Sequence, residues 1–291
     1  MQTPAAFEYD RAATVGEALA LLERHGPETR LIAGGHSLLP MMKLRLARPE
    51  RLVDINPISE LSYIRLEGME LVIGAMTRHA QLLASAELLR NYPIFADAER
   101  VIADPVVRNR GTIGGSLCQG DPAEDLSAVV CALRAQLVIR SSNGARTVAA
   151  REFYLGPYET QVGPAEMLTE VRIPLRRGTG SAYEKVERRT GDWAIAAVGC
   201  FVTLEGERVS DVGIGLAAVN APGFAAEEAE AALRGQPAAP ENLARAADLA
   251  AVSCRPQSDQ RGPEEYKRHL VGELTRRALA RAVRRAGQGG A

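Results

Sequence analysis

The chain has 291 residues, which is enough for two or three domains that each bury their own core. Its 46% apolar and 24% charged residues are typical of globular proteins. The 35 basic and 36 acidic residues give a net charge of −1, which argues against a nucleic-acid-binding protein. No segment approaches the roughly 18 apolar residues of a membrane span, and residues 1–4 lack signal-peptide features, so we expect a cytoplasmic protein.

The pattern of residues 1–57 predicts a small β-α-β domain. Thr14 and Glu17 have the spacing of a capping box, which places a helix at residues 18–25. Strands are predicted at residues 7–9, 30–33 and 51–55, and a brief helix is predicted to begin near Ser37.

Residues 31–39 combine a short apolar run with the pair Gly34-Gly35, the hydroxyl residue Ser37 and a possible helix start. Paired glycines let the backbone turn sharply and approach another molecule closely. A loop of this kind that leads into a helix presents N–H groups suited to phosphate oxygens. By itself, such a segment is more often an ordinary turn.

The pattern of residues 58–176 predicts a larger α/β domain. Asp121, Pro122 and Glu124 combine a helix cap, a proline at the first helical position and an acid three residues after the cap. Asn143-Gly144 predicts a two-residue hairpin turn. The predicted strands are 63–66, 71–73, 136–140 and 146–148, and the predicted helices are 78–83 (capped by Thr77), 94–103 and 123–134.

A second glycine segment, residues 111–116, repeats the first one within this middle domain, with Thr112, Gly114, Gly115 and Ser116. Two segments rich in N–H donors suit a ligand with two phosphates, one segment serving each side of the diphosphate.

Residues 177–291 predict a three-stranded antiparallel sheet with a helical bundle, which makes the fold α+β. The strands are 182–188, 194–204 and 211–219, and the helices are 225–233, 241–254 and 263–285. Residues 213–218 match the letters of the dinucleotide fingerprint GxGxxA. We reject that interpretation, because extended sequence continues to Val219 where the fingerprint requires a helix.

The four cysteines, Cys118, Cys131, Cys200 and Cys254, are far apart and form no Cys-x-x-Cys pair. This spacing argues against an iron–sulfur cluster or a structural zinc site held by this chain, and no other metal site is predicted. Cys118 is the exception to follow, because it comes soon after Gly115.

The segments Ala33-Gly34-Gly35-His36-Ser37-Leu38 and Thr112-Ile113-Gly114-Gly115 resemble the AGGxSL and TIGG motifs of a known family. This family comprises the FAD-binding medium (flavoprotein) subunits of molybdenum hydroxylases, the carbon monoxide dehydrogenase and xanthine dehydrogenase group. The resemblance continues through residues 43–46, 52–55, 73–75 and 183–185, and so covers most of the chain.

The resemblance implies a two-part FAD-binding region, similar to that of vanillyl-alcohol oxidase (the PCMH type), followed by the C-terminal sheet-and-helix domain. We therefore expect domains at residues 1–57, 58–176 and 177–291. The two glycine segments would hold the FAD diphosphate, Asp125 a ribose or ribityl diol, and Lys185 and Tyr183 would approach the flavin ring. The implied site residues are Leu31, Ile32, Ala33, Gly34, Gly35, His36, Ser37, Leu38, Ile102, Thr112, Gly114, Gly115, Ser116, Asp125, Leu168 (through its backbone), Tyr183 and Lys185.

The same resemblance implies an electron-transfer subunit of an oxidoreductase. Electrons would arrive from [2Fe-2S] clusters of a small partner subunit and pass through FAD to an external acceptor. A large partner subunit would hold the molybdenum cofactor and oxidise the substrate, and the family's habit is a dimer of heterotrimers. Gln119 stands where many carbon monoxide dehydrogenase-like chains have histidine, which weakens an assignment to carbon monoxide itself.

Several alternatives remain open on the sequence. The chain is also compatible with a stand-alone FAD oxidoreductase that has its own organic substrate, or with a nucleotide-binding protein without turnover. Ser37 lacks the G-x-S-x-G context of a nucleophile, so a hydroxyl that donates to phosphate is the better interpretation. The side chain of His36 has no companion at metal-ligand spacing. Trp193 lies either near the flavin or in the core.

Overall fold

A computed structural model describes residues 3–288. Residues 3–57 form a parallel three-stranded sheet in the order β1-β3-β2 with two helices. The helix α1 begins where the Thr14 hydroxyl accepts from the Glu17 amide at 3.1 Å, as predicted. The elements are β1 (Glu8–Arg11), α1 (Val15–His25), β2 (Thr29–Ile32), α2 (Leu38–Lys43) and β3 (Arg51–Asp54).

Residues 58–176 form an antiparallel five-stranded sheet in the order β4-β5-β10-β6-β7, with helices and a two-stranded hairpin around it. The Asn143-Gly144 turn joins β6 to β7 as predicted. The elements are β4 (Ile64–Glu67), β5 (Glu70–Gly74), α3 (His79–Ala84), α4 (Ala86–Asn91), α5 (Ile94–Glu99), α6 (Pro105–Arg108), α7 (Ile113–Gln119), α8 (Asp125–Ala132), β6 (Gln136–Ser141), β7 (Gly144–Ala149), α9 (Ala150–Phe153), β8 (Tyr154–Gly156), β9 (Glu159–Thr160) and β10 (Met167–Pro174).

Two predicted helix caps in this part are wrong. The Thr77 hydroxyl donates to the Tyr63 carbonyl at 3.0 Å, and α3 begins one residue later, after Arg78. Glu124, not Asp121, caps α8, because its carboxylate accepts from the amides of the first helical turn. In addition, the predicted helix 94–103 ends at Glu99.

The second glycine segment is a helix start, not a loop. Thr112 caps α7, so Gly114 and Gly115 lie in its first turn. The sequence pattern missed this helix because glycine is a poor helix former.

Residues 177–288 form the predicted antiparallel sheet, in the order β11-β12-β13, and three helices. One face of this sheet packs on α10 and α12, against which α11 packs in turn, and Tyr183, Ala197 and Phe201 on the opposite face belong to the core of the middle part. The elements are β11 (Thr179–Val186), β12 (Ala196–Glu205), β13 (Arg208–Ala217), α10 (Glu227–Leu233), α11 (Pro240–Ser253) and α12 (Glu264–Gln288).

The glycines of the GxGxxA pattern allow the third sheet to pack closely against α8 of the middle part. A Cβ added to Gly213 would lie 2.1 Å from the Ala132 carbonyl oxygen, and one added to Gly215 would lie 2.0 Å from that of Ala128. Strand β13 therefore rests directly on α8, which confirms that these residues are not a nucleotide fingerprint.

Ion pairs fix the last helix to the middle part of the chain. Asp97 of α5 is nearly buried and lies 2.6 Å from a guanidinium nitrogen of Arg285 and 3.1 Å from one of Arg281, both in α12. No helix within residues 3–288 is long and apolar enough to span a membrane.

Candidate functional site

A cavity of about 1280 Å³ lies between the first two sheets, and residues 191–193 also line it. Pockets for drug-sized ligands are usually about 300–1,000 Å³, so this one has room for a dinucleotide. Every predicted site residue lines the cavity except Tyr183 and Lys185.

The two glycine segments touch at the cavity wall. A Cβ added to Gly34 would lie 2.4 Å from the Arg110 carbonyl oxygen and 2.7 Å from the Gly111 Cα. A Cβ added to Gly115 would lie 3.8 Å from the Ala33 Cβ. Only glycine fits at position 34. Because it has no Cβ, two segments that are far apart in the chain can come into contact here.

The first segment presents a row of free amides. Among the described residues, no acceptor receives any of the five N–H groups from Gly34 to Leu38. Gly35 has φ +78°, in the left-handed region that favours glycine. Successive backbone N–H groups in such a turn form a concave anion-binding surface.

The second segment uses its amides inside the protein. The N–H groups of Gly114, Gly115 and Ser116 donate to the Ala75 carbonyl (2.8 Å), the Thr112 hydroxyl (3.0 Å) and the Thr112 carbonyl (3.0 Å). The expectation of two donor-rich loops therefore holds for the first segment alone. A Cβ on Gly114 would lie 2.7 Å from the Ala75 carbonyl oxygen, so packing explains this glycine.

The second segment contributes Ser116 to the cavity wall. The Ser116 hydroxyl belongs to a buried hydrogen-bond network that the sequence analysis did not predict. His79, only 2% exposed, places Nε2 3.0 Å from Ser116 Oγ. Its Nδ1 lies 3.0 and 3.1 Å from the two carboxylate oxygens of the fully buried Glu99. These residues come from α3, α5 and α7, and no sequence spacing connects them.

Asp125 is the first residue of α8 and lines the cavity. Tyr183 and Lys185, the two predicted residues that do not line the cavity, contact Asp125. Its carboxylate accepts from the Tyr183 hydroxyl and lies 3.0 Å from Lys185 Nζ. Lys185 is buried and also lies 3.2 Å from Glu187. Burial raises the pKa of Asp125, although Lys185 opposes that shift.

A second buried acid, Glu124, also lines the cavity, and the sequence analysis assigned it only to helix capping. Burial raises the pKa of Glu124 to about 7, although the Leu126 amide and the Ser127 hydroxyl, which both donate to its carboxylate, lower it.

The remaining wall of the cavity is largely apolar. Ile102 and Leu168 line it, as predicted, together with Cys118 and Gln119. Trp193 also lines the cavity and is 40% exposed, so the alternative of a core tryptophan is wrong. None of the described residues forms a cluster of three or more potential metal ligands.

These groups fit FAD. The row of amides at 34–38 suits a diphosphate, because no acceptor within the described part of the chain competes for these donors. The apolar wall suits a flavin ring, and the Asp125 carboxylate suits a diol, because it accepts two hydroxyl hydrogens.

Comparison with known proteins agrees with this geometry. Residues 5–176 match the family described as the FAD binding domain in molybdopterin dehydrogenase, and residues 181–282 match the CO dehydrogenase flavoprotein C-terminal domain. The carbon monoxide dehydrogenase medium chain of Hydrogenophaga pseudoflava is 45% identical, over 95% of this chain and 96% of the relative. The glyceraldehyde dehydrogenase medium chain of Sulfolobus acidocaldarius is 36% identical, over 95% and 98%.

A solved structure extends the similarity to the whole fold. It is carbon monoxide dehydrogenase from Hydrogenophaga pseudoflava lacking the Mo-pyranopterin moiety, with a TM-score of 0.94 and 47% identity. The match covers 97% of this chain and 99% of that chain. The chain therefore belongs to the family of FAD-binding medium chains of molybdenum-containing dehydrogenases.

Proposed function

We propose that this chain holds FAD across the cavity, with the diphosphate between residues 33–38 and 112–116. The isoalloxazine ring would extend toward Asp125, with Tyr183 and Lys185 behind that carboxylate. The observation that carries the proposal is the row of five amides that donate to no acceptor among residues 3–288, beside the contact between the two glycine segments. That surface binds an anion, and the adjoining cavity has room for both ends of a dinucleotide.

Within this arrangement each residue has a binding or orienting role. The amides of residues 34–38 and the Ser116 hydroxyl would donate to phosphate oxygens. Asp125 would accept from a sugar or ribityl hydroxyl, and Ile102 and Leu168 would pack on the ring. Lys185 would act through Asp125, because its ammonium group pairs with that carboxylate and does not line the cavity.

We propose that the chain works as the electron-transfer subunit of a larger enzyme. FAD, when bound, supplies the redox chemistry, and the protein positions it and tunes its potential. A small subunit would deliver electrons from [2Fe-2S] clusters, a large molybdenum subunit would oxidise the substrate, and an external acceptor would receive the electrons.

The assembly would be a dimer of heterotrimers in the cytoplasm. The relatives are named as medium chains, which favours a multi-subunit enzyme over the stand-alone oxidoreductase. Their names differ in substrate, carbon monoxide for one and glyceraldehyde for the other. We therefore assign substrate choice to the large subunit, with carbon monoxide as the first compound to test.

Purification of the chain with its partners tests the proposal. We expect one FAD per chain in the absorption spectrum, and iron and molybdenum in the same chromatographic peak. If the purified chain binds no flavin even at saturating FAD, the proposed FAD site is contradicted. Bound flavin with turnover of an organic substrate by the isolated chain, without metals, would instead favour a stand-alone oxidoreductase.

A further inference from the structure

The His79–Glu99 pair is buried at the cavity wall with no role in the diphosphate contacts described so far. Gly111 of the second glycine segment makes room for it, because an added Cβ there would lie 2.7 Å from the imidazole Cδ2. The His79 amide also donates to the Gly111 carbonyl at 3.2 Å. Both the backbone and the ring of His79 are thus fixed against the segment that carries Ser116.

Burial decides where the hydrogen atoms of this pair lie. The reference state of the pair is neutral imidazole with carboxylate. With one proton more than that, the pair is either imidazolium with carboxylate or neutral imidazole with carboxylic acid, and both of these forms have no net charge. In both forms Nε2 carries a hydrogen. The form without that proton places a net negative charge in a site where His79 is 2% and Glu99 0% exposed, which is costly.

The charged groups around the pair also favour retention of the extra proton. Burial opposes the imidazolium, but Glu99 outweighs it and raises the pKa of His79, with help from Glu124 and Asp125. Burial also raises the pKa of Glu99, although His79 and Arg108 oppose that shift. The pair therefore retains its extra proton.

We propose that His79, held by Glu99, is a positioning residue that turns the hydroxyl hydrogen of Ser116 into the cavity, toward a phosphate oxygen of FAD. Since Nε2–H donates to Ser116 Oγ at 3.0 Å, the serine hydrogen is free to point elsewhere. The same protonation prevents His79 from acting as a base toward Ser116, although serine, histidine and carboxylate follow each other as in a hydrolase triad. This inference rests on the proposed FAD site.

The affinity for FAD should then depend on pH. Loss of the extra proton makes Nε2 an acceptor, so the Ser116 hydrogen turns back to His79 and oxygen lone pairs face the phosphate. Because the pKa of His79 is raised above its ordinary 6.5, FAD should bind more weakly as the pH rises beyond that value. Binding should correspondingly take up protons in this range.

Titration of the flavin-free full-length chain with FAD between about pH 6 and pH 9, a range that begins just below the ordinary histidine pKa and extends above it, tests the inference. The variants are Ser116→Ala, His79→Gln and the double variant, with His25→Gln as control, since His25 is exposed at the end of α1. At low pH each single variant should bind FAD about tenfold more weakly, with no pH dependence. The double variant should bind no more weakly than Ser116→Ala.

Additive losses in the double variant, or a wild-type affinity that is flat with pH, would overturn the inference. If His79→Gln fails to fold, Ser116→Ala still decides, because it removes one hydroxyl from a half-buried residue. Calorimetry in buffers of different ionisation enthalpy should then show proton uptake by the wild type and none by Ser116→Ala. A wild type that binds no FAD at any pH would instead contradict the proposed function.

Discussion

Gly35 illustrates how a single residue shapes the anion-binding surface. Its φ of +78° costs any other residue about 1–2 kcal/mol, and an added Cβ would lie 3.0 Å from a Leu39 methyl carbon. A side chain here is accommodated by rotating the backbone, and this rotation turns the amides of residues 35 and 36 away from a shared acceptor.

We therefore expect Gly35→Ala to weaken FAD binding at least about tenfold, as loss of one charge-assisted hydrogen bond does. Gly68→Ala is the matched control, because Gly68 has φ +59° in the open β4–β5 turn with nothing within 4 Å of an added Cβ. Both variants should lose similar thermal stability. Equal FAD affinity in the two variants would contradict the role assigned to the first segment.

Glu124 predicts a pH dependence of stability. Its carboxyl has a pKa of about 7 in the folded chain and 4.5 as the ordinary value, so the folded chain holds the proton more tightly. The stability from this group is full below pH 4.5 and is lost as the pH rises through 7. Between pH 4.5 and pH 7 the free energy of unfolding of the wild type should fall by about 2–3 kcal/mol more than that of Glu124→Gln. Denaturant unfolding of the flavin-free chain measures this difference. Parallel curves for the two proteins would contradict this.

At this scale the sequence predicted which residues line the cavity better than it predicted what those residues contact. Gly34 and Gly114 were expected to make room for phosphate, yet the structure gives both a protein neighbour in that space, the Arg110 and Ala75 carbonyls. His79 was missed altogether, because its partners Glu99 and Ser116 come from other helices and carry no local pattern.

Among the elements, α8 links the third sheet to the cavity. Asp125 is its first residue, and β13 lies against its backbone at Gly213 and Gly215. A side chain on this face of β13 would push α8, and with it Asp125, away from the sheet.

Gly215→Ala should therefore destabilise the fold by about 1–3 kcal/mol, the usual cost of overpacking, and also weaken FAD binding. Gly16→Ala in the exposed face of α1 is the control and should be neutral or slightly stabilising, because alanine favours helix. Thermal unfolding and FAD titration measure both effects. If Gly215→Ala behaves like Gly16→Ala, the direct contact between β13 and α8 is wrong.

The strands were predictable where apolar residues alternate, as in the third sheet, but the starts of α3, α7 and α8 were not. Asp121 is of a preferred capping type and Glu124, one turn later, is not, yet Glu124 caps α8. Asp121 instead accepts from the Ala123 amide at 2.9 Å, which closes a local turn before α8 begins. A competition of this kind is decided by geometry that the residue types do not contain.

For the whole molecule, composition and periodicity predicted an α+β chain and its C-terminal three-stranded sheet, but neither the strand β10 nor how the sheets meet. The contact of Gly34 with Gly111 and the central place of β10 both join residues far apart in the chain. Periodicity describes single elements, so it cannot supply such pairings. The family resemblance predicted that the two glycine segments meet at one cavity, but not the place of β10 in its sheet.

Hydrogen exchange of backbone amides, followed residue by residue by NMR, tests the diphosphate site most directly. Saturating FAD should slow exchange of the amides at 34–38, whereas riboflavin, which lacks the phosphates, should leave them fast. The amides at 114–116 should already be slow without flavin, because they donate within the protein. If the amides at 34–38 exchange equally fast with and without stoichiometrically bound FAD, the first glycine segment does not hold the diphosphate.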